Sequence, residues 1–310
     1  MDKKIKVGLI FGGQSPEHEV SKMTAKSILE NIDRNFFDVT EIYIDKDGGF
    51  DENLLCNIDV AFLAVHGPNC EDGKLQKMLE DKGIKYTGSG VAASRLNMDK
   101  IEMHEVFHNA GLSIVKFLGF DKTIGDAEII KKTEKEIGYP CFIKPNNTGS
   151  SIGISKATNI HELRQGMQKA FKCDEKIIVE EAVANPREIE VAILGNDNLM
   201  ISEPGEIDSN GEFYSYETKY FKPFNTKMET ELSEEKKREL KNLAEKAYKV
   251  TSCRGYSRID FLIDKDEEIY INEINTLPGF TKISMFPKLM GEAGIPYKNL
   301  ITKIINLALE

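Results

Sequence analysis

The chain has 310 residues, with 41 Lys plus Arg against 51 Asp plus Glu and a net charge of −10. This length suffices for two or three domains with a sizeable core. The acidic balance, spread along the chain without a basic stripe, argues against extended nucleic-acid contact, and no run approaches the about 20 apolar residues of a membrane span.

The opening stretch MDKKIKVGLIFGG is too Gly-rich, and its apolar part too short, for a signal peptide. The five cysteines (Cys56, Cys70, Cys141, Cys173, Cys253) are scattered and form no C-x-x-C pair, as expected of reduced, buried thiols in a cytoplasmic protein. Over the first hundred residues strand and helix signals alternate: strand IKVGLIF, helix EVSKMTAKSILENI, strands VTEIYID and VAFLAVHG, helix GKLQKMLEDKG. That alternation predicts a parallel, doubly wound sheet. Ser15-Pro16 reads as an N-cap followed by proline at the first helical position, which puts Glu17 in the first turn, where a carboxylate complements the helix dipole.

Around residue 98 the pattern changes. A helix through MDKIEMHEVFHNAG leads to two expected strand pairs, PCFIKP with SIGISKA and KIIVEEAV with REIEVAIL. Next come a polar loop, DSNGEFYSYETKYFKP, and a helix, SEEKKRELKNLAEKAYKV, capped by Ser233. A hairpin RIDFLID-KDEE-IYINEIN precedes a helix at MFPKL, for which Ser284 reads as the N-cap; a helix start of this kind can receive a carboxylate. Three closely packed α/β domains are expected, at 1–97, 98–183 and 184–310, the last with a lid loop at 208–224.

The hairpin carries the strongest chemical signal. With KDEE as a four-residue loop closed by Asp264 and Ile269, Asp260 falls opposite Glu273 and Arg258 opposite Asn275. All four then share one face, while Ile259, Phe261, Ile263 and Ile274 share the other. Directly opposed carboxylates repel, and a hard divalent cation such as Mg²⁺ would offset that repulsion. An acidic pair that is protonated or solvated beside Arg258 is the alternative. A loop of odd length would slip the register and scatter the four residues.

A metal that carries phosphates needs a loop to hold them. KPNNTGSSIGIS, between two strand signals, offers backbone N–H groups and the Ser150 and Ser151 hydroxyls, with Lys144 supplying charge. It is not a Walker A loop. Three other motifs compete. Gly149-Ser-Ser-Ile-Gly153 matches G-x-S-x-G, but a strand follows it and no histidine comes after His161. GSGVAA imitates a dinucleotide fingerprint without the strand-ending acid. HEVFHNAG matches H-E-x-x-H, which on a helix would let His104 and His108 bind zinc; the third metzincin position is Ile114, leaving Glu128 as a distant carboxylate.

Together the blocks FGGQSPEHEVS, HGPNCEDGKLQ, YTGSGVAAS, MDK, IKPNNTGSSIGISK, YETKY, CRGYSRIDF and NEINTLPGFTKISMFPKL resemble the D-alanine–D-alanine ligases of the ATP-grasp superfamily. They run in that family's order over nearly the whole chain. The resemblance implies an ATP-grasp fold and a reaction for peptidoglycan synthesis: ATP phosphorylates one D-alanine, and the amine of a second attacks the acyl phosphate. It implies that Asp260, Glu273 and Asn275 hold two Mg²⁺ (or Mn²⁺) ions. ATP would be met by Lys100, Lys144, Ser150, Ser151, Lys219, the adenine-lining stretch Glu180, Glu181 and Val183, and Glu188 at the ribose. The substrates would be met by Glu17, His66, Arg258, Gly279, Ser284 and Met285. Glu17, Ser150 and Tyr220 would form a hydrogen-bond network with the lid, and Tyr220 itself implies an amine as second nucleophile rather than D-lactate. A homodimer is also implied. A ligase taking D-serine second is the near alternative, and a zinc protease built on His104 and His108 a distant one. Cys70 stands where the family has glycine, near the first substrate and open to modification, and Ser215 stands where Asp is frequent.

Overall fold

The computed structural model describes residues 3–208, 225–228 and 230–310. The lid expected at 208–224, with Lys219 and Tyr220, lies outside these residues apart from its first position.

Three sheets organise the chain. The first contains β1 (Ile5–Gly12), β2 (Phe37–Ile44), β3 (Val60–Val65) and β4 (Lys85–Tyr86), ordered β2-β1-β3-β4 and parallel throughout, as the alternating pattern predicts. Every residue of β3 is buried, the mark of a strand covered on both faces. Helices α1 (His18–Asn31) and α2 (Lys74–Asp81) belong to this unit. The strand order reverses between β1 and β3, and in doubly wound sheets ligands bind outside the carboxyl ends of the strands at that switch point. Glu17 and His66 follow those two strand ends. Gly12 makes the turn there at φ +96°, where a Cβ would stand 2.1 Å from the Ile44 carbonyl oxygen.

Helices α3 (Val91–Met98) and α4 (Lys100–Asn109) lead into the second sheet. It holds β5 (Phe117–Asp121), β6 (Cys141–Pro145), β7 (Ser155–Ala157) and β8 (Lys176–Glu181), ordered β5-β8-β6-β7 and antiparallel, with α5 (Asp126–Glu136) and α6 (Ile160–Ala170).

The third sheet runs β12 (Asn225–Lys227), β11 (Gly205–Asp208), β9 (Arg187–Leu194), β13 (Tyr256–Ile263), β14 (Ile269–Asn275), with β10 (Met200–Ile201) on β9. Helix α7 (Glu234–Val250) shares its core, capped by the Ser233 side chain as expected. Helices α8 (Met285–Glu292) and α9 (Tyr297–Leu309) return to the first sheet and share its core.

Two expectations need correction. PCFIKP and SIGISKA pair as β6–β7, but KIIVEEAV and REIEVAIL do not pair: β8 sits inside the second sheet and β9 inside the third. Between them Asn185 takes φ +47° ahead of Pro186, and the chain crosses from one sheet to the other instead of folding back. In the hairpin, Asp260 is opposite Glu273 and Arg258 opposite Asn275, as expected. The loop, however, is odd: the last pair is Ile263–Ile269, and a one-residue bulge between Asp260 and Phe261 restores the register. Ile271 and Ile274 are thereby both buried while Asn272 and Glu273 are both partly exposed. A bulge places two residues opposite one, here adding Asn272 to the polar face.

Phe261, 1% exposed, anchors the apolar face of this hairpin. Phe261→Ala should lower unfolding stability by about 3–5 kcal/mol, whereas Lys265→Ala in the hairpin loop should change it by less than about 0.5 kcal/mol, both measured by urea denaturation.

Candidate active site

Three clusters of polar side chains meet where the sheets converge. At the switch point, Ser15 Oγ accepts from the Glu17 amide at 3.0 Å, the bond expected of an N-cap, although the regular helix begins only at His18. Glu17 is 4% exposed, and its Oε1 accepts a short hydrogen bond from Ser150 Oγ, 133 residues away. Gly67, at φ +77°, lets the chain pass this carboxylate: a Cβ there would lie 2.8 Å from Glu17 Oε2. His66 is also buried, with Nε2 3.0 Å from Thr24 Oγ1 and Nδ1 3.5 Å from Glu71 Oε1. Burial alone would lower its pKa, but the Glu71 carboxylate, helped by Glu17, holds it above the ordinary 6.5.

Ser150 and Ser151 lie on the loop between β6 and β7, at φ +52° and +59°. Two consecutive left-handed non-glycine residues cost about 1–3 kcal/mol each and cluster at functional sites. The loop is fastened at its base. Asn147 donates to Asp174 through its amide N–H (2.6 Å) and its side chain (3.0 Å), and Asn146 Oδ1 accepts from Ile101 N at 2.9 Å. Lys100, 7% exposed at the start of α4, donates to the Thr148 carbonyl at 2.5 Å. Burial lowers the Lys100 pKa, with Glu273 opposing the shift.

The second cluster joins β6, β8, α4 and β14. Lys144 Nζ lies 2.5 Å from Glu180 Oε2 and 3.3 Å from Asn272 Oδ1. Burial would raise the Glu180 pKa, but Lys144 and its cationic neighbours hold it below the ordinary range. His104, 1% exposed, donates from Nδ1 to the Lys100 carbonyl at 2.7 Å, and its Nε2 is 3.9 Å from Glu180 Oε1. His108 is exposed. The H-E-x-x-H helix therefore turns one histidine into the core and the other to solvent, and the zinc reading fails. Glu181 is exposed, while Val183, on the chain between β8 and β9, and Glu188, within β9, are half-buried.

The third cluster is a row of acids across β9, β13 and β14: Glu190 opposite Asp260, and Asp260 opposite Glu273. Arg258 lies on the same face and forks onto Asp260, Nε donating to Oδ1 and Nη2 to Oδ2, both at 2.7 Å. Its Nε is also 3.0 Å from Glu190 Oε2. Among the described residues, no three His, Cys, Asp or Glu side chains converge on a common metal position, and both Asp260 oxygens face Arg258. The donor chemistry nonetheless fits a hard cation: carboxylates on adjacent strands, the Asn275 amide beside them, and one guanidinium among three acids. Asn275 Oδ1 also accepts from Leu277 N at 3.2 Å, ordering the turn into Pro278-Gly279.

Ser284 holds the N-cap position of α8 in extended backbone, but its hydroxyl accepts from Thr281 N at 3.1 Å and caps no helix amide. A Cβ on Gly279 would stand 3.2 Å from Ser284 Oγ, so these two expected substrate contacts are neighbours, and Met285, the first helical residue, is buried beside them. Cys70 is 3% exposed, 3.0 Å from where a Gly13 Cβ would lie, and burial pushes its thiol up to about 12. It fills space rather than being open to modification.

Glu71, Glu190 and Asn272 belong to these clusters although sequence reasoning missed them. Glu190 stands two residues after Glu188 and so shares its face. Asn272 was signalled by the broken alternation of Ile269, Ile271 and Ile274. Glu71, in a loop, left no periodic signal.

Residues 106–306 match the family model described as D-ala D-ala ligase C-terminus, and residues 6–54 and 49–89 match D-ala D-ala ligase N-terminus. The chain is 43% identical to the D-alanine–D-alanine ligase of Clostridium novyi, over 99% of this chain and 98% of that protein, and 41% identical to that of Caldicellulosiruptor bescii, over 99% and 96%. Among solved structures it superposes on the VanG D-Ala:D-Ser ligase from Enterococcus faecalis with TM-score 0.89, 32% identity and coverage of 99% and 100%. On the D-alanine-D-alanine ligase from Coxiella burnetii it does so with TM-score 0.88, 28% identity and coverage of 99% and 94%.

A raised His66 pKa means that the folded state favours the protonated ring. The stabilisation is therefore complete below pH 6.5 and fades as pH rises through the elevated value. Proton NMR should show His66 titrating above 6.5, and Glu71→Gln should move it below 6.5, since burial then dominates. Cys56 and Cys173 are exposed, against the expectation that all five thiols are buried; alkylation by iodoacetamide at pH 8, followed by mass spectrometry, should label these two and leave Cys70 intact until the protein unfolds.

Proposed function

The chain belongs to the D-alanine–D-alanine ligase family and is an ATP-dependent carbon–nitrogen ligase; from that premise we propose how its residues divide the joining of two D-alanines into the D-alanyl-D-alanine of peptidoglycan. The observations that support the reading are the row of opposed acids beside Arg258 and the strained serine loop that Ser150 ties to Glu17.

Glu17, held by Ser150, takes the ammonium of the first D-alanine, with His66 beside it. Lys100, Lys144, Ser151 and Lys219 bind the nucleotide phosphates, Glu180, Glu181 and Val183 line the adenine, and Glu188 takes the ribose hydroxyls. Asp260, Glu273 and Asn275 would hold two Mg²⁺ (or Mn²⁺) ions, which when bound neutralise phosphate charge and orient the nucleotide. The carboxylate of the first D-alanine attacks the terminal phosphorus of ATP, giving D-alanyl phosphate and ADP. The amine of the second D-alanine then attacks the acyl carbon, and phosphate leaves. Arg258 and the Gly279 amide meet the negative charge that grows on the acyl oxygen. Ser284 and Met285, at the start of α8, receive the carboxylate of the second D-alanine. Tyr220 closes the lid network with Ser150 and Glu17 and keeps water from the acyl phosphate.

The same reading divides the chain at 1–97, 98–183 and 184–310 and makes the enzyme a cytoplasmic homodimer. Among the described residues, no helix is long and apolar enough to cross a membrane. D-Alanine is the second substrate named for the curated relatives at about 40% identity, and it is preferred here over D-serine.

Purified protein given ATP, Mg²⁺ and D-alanine should release one phosphate per dipeptide formed, with D-alanine outcompeting D-serine when both are supplied. Arg258→Ala should lower kcat by about 10²–10³-fold. Glu273→Ala should abolish turnover, and undiminished activity in that variant would sink the metal assignment.

A further inference from the structure

We propose that Glu190 is a positioning residue that takes over the Arg258 guanidinium when a divalent cation occupies Asp260. The inference rests on the metal assignment above. As folded, Arg258 spends both arms of its fork on Asp260, Nε to Oδ1 and Nη2 to Oδ2 at 2.7 Å each. A cation drawn onto those oxygens competes with the guanidinium, because the fork already spends one lone pair of each oxygen and two cations packed on one carboxylate repel each other. Arg258 must therefore yield, yet its side chain is only 12% exposed, and a buried charge that loses its partner is strongly unfavourable.

The structure supplies the replacement. Glu190 is 3% exposed, stands directly opposite Asp260 on the neighbouring strand, and already has Oε2 3.0 Å from Arg258 Nε. A small rotation of the guanidinium transfers Nε–H from Asp260 to Glu190 without moving the backbone. Arg258 stays over the reacting centre, and Asp260 turns to the metal beside Glu273. The ladder fixes this geometry, since Glu190, Asp260 and Glu273 occupy one row of three adjacent strands. On this arrangement Glu190 touches neither substrate nor metal and acts through Arg258.

The test is Mn²⁺ binding to the full chain in the presence of ADP, followed by electron paramagnetic resonance. Glu190→Gln should raise the Mn²⁺ Kd about tenfold, with ADP affinity in the absence of metal unchanged. In an Arg258→Ala background no guanidinium competes for Asp260, and adding Glu190→Gln should then change Kd by less than about threefold. An unchanged Kd in the single variant overturns the proposal. So does an equal loss in both backgrounds, because Glu190 would then act on the cation through its charge alone. Should Glu190→Gln not fold by circular dichroism, Glu190→Asp keeps the charge but withdraws it by one methylene. A weakened Kd supports the hand-over and an unchanged one overturns it. Wild-type protein that binds no Mn²⁺, or Asp260→Asn that binds it as wild type does, identifies failure of the metal assignment itself.

Discussion

Three carboxylates in one row of the third sheet share their face with a single guanidinium, and this unequal charge balance governs the rest of the site. Glu190, Asp260 and Glu273 repel one another across adjacent strands, and nearby cations offset that repulsion. Arg258 supplies one, through its fork to Asp260 and its approach to Glu190. Lys100 adds a second, more distant one, felt by Glu273 across the cleft. The carboxylates left over, with the Asn275 amide beside them, have the donor chemistry of a hard-cation site.

The row works only because other elements close onto it. The parallel first sheet changes strand order between β1 and β3, so the chain ends bearing Glu17 and His66 open into one crevice. The loop after β6 spans that crevice and reaches Glu17 through Ser150. Its two left-handed serines store backbone strain, held by the Asn147–Asp174 and Asn146–Ile101 bonds at its base. Strain of this kind persists only where the surroundings over-determine the conformation. Here those surroundings come from both the second sheet and the first.

The fold class was largely legible, and for a local reason. Apolar runs of strand length alternating with amphipathic helices encode a parallel sheet in their order alone. The hairpin face was legible too, since side chains two apart in a strand must share a side. Its loop length was misjudged, and the pairing of Asp260 with Glu273 held because a bulge at Asn272 compensated for an odd turn. The expected pairing of KIIVEEAV with REIEVAIL failed because proximity in sequence favours hairpins, whereas the turn at Asn185-Pro186 sends the chain into another sheet.

Residue types, their order and their periods by themselves determined the doubly wound beginning of the chain, the opposed acids of the last hairpin and the family to which the chain belongs. Each is carried by neighbours along the chain or by a period of two. Only the tertiary structure decided that Glu190 joins Asp260, that Glu71 sets the charge of His66, that His104 turns inward to Glu180, and that Cys70 is sealed from solvent. Each of these depends on burial or on contact between distant segments. Burial sets the cost of a charge and contact sets its partner, and neither can be read before the chain has folded.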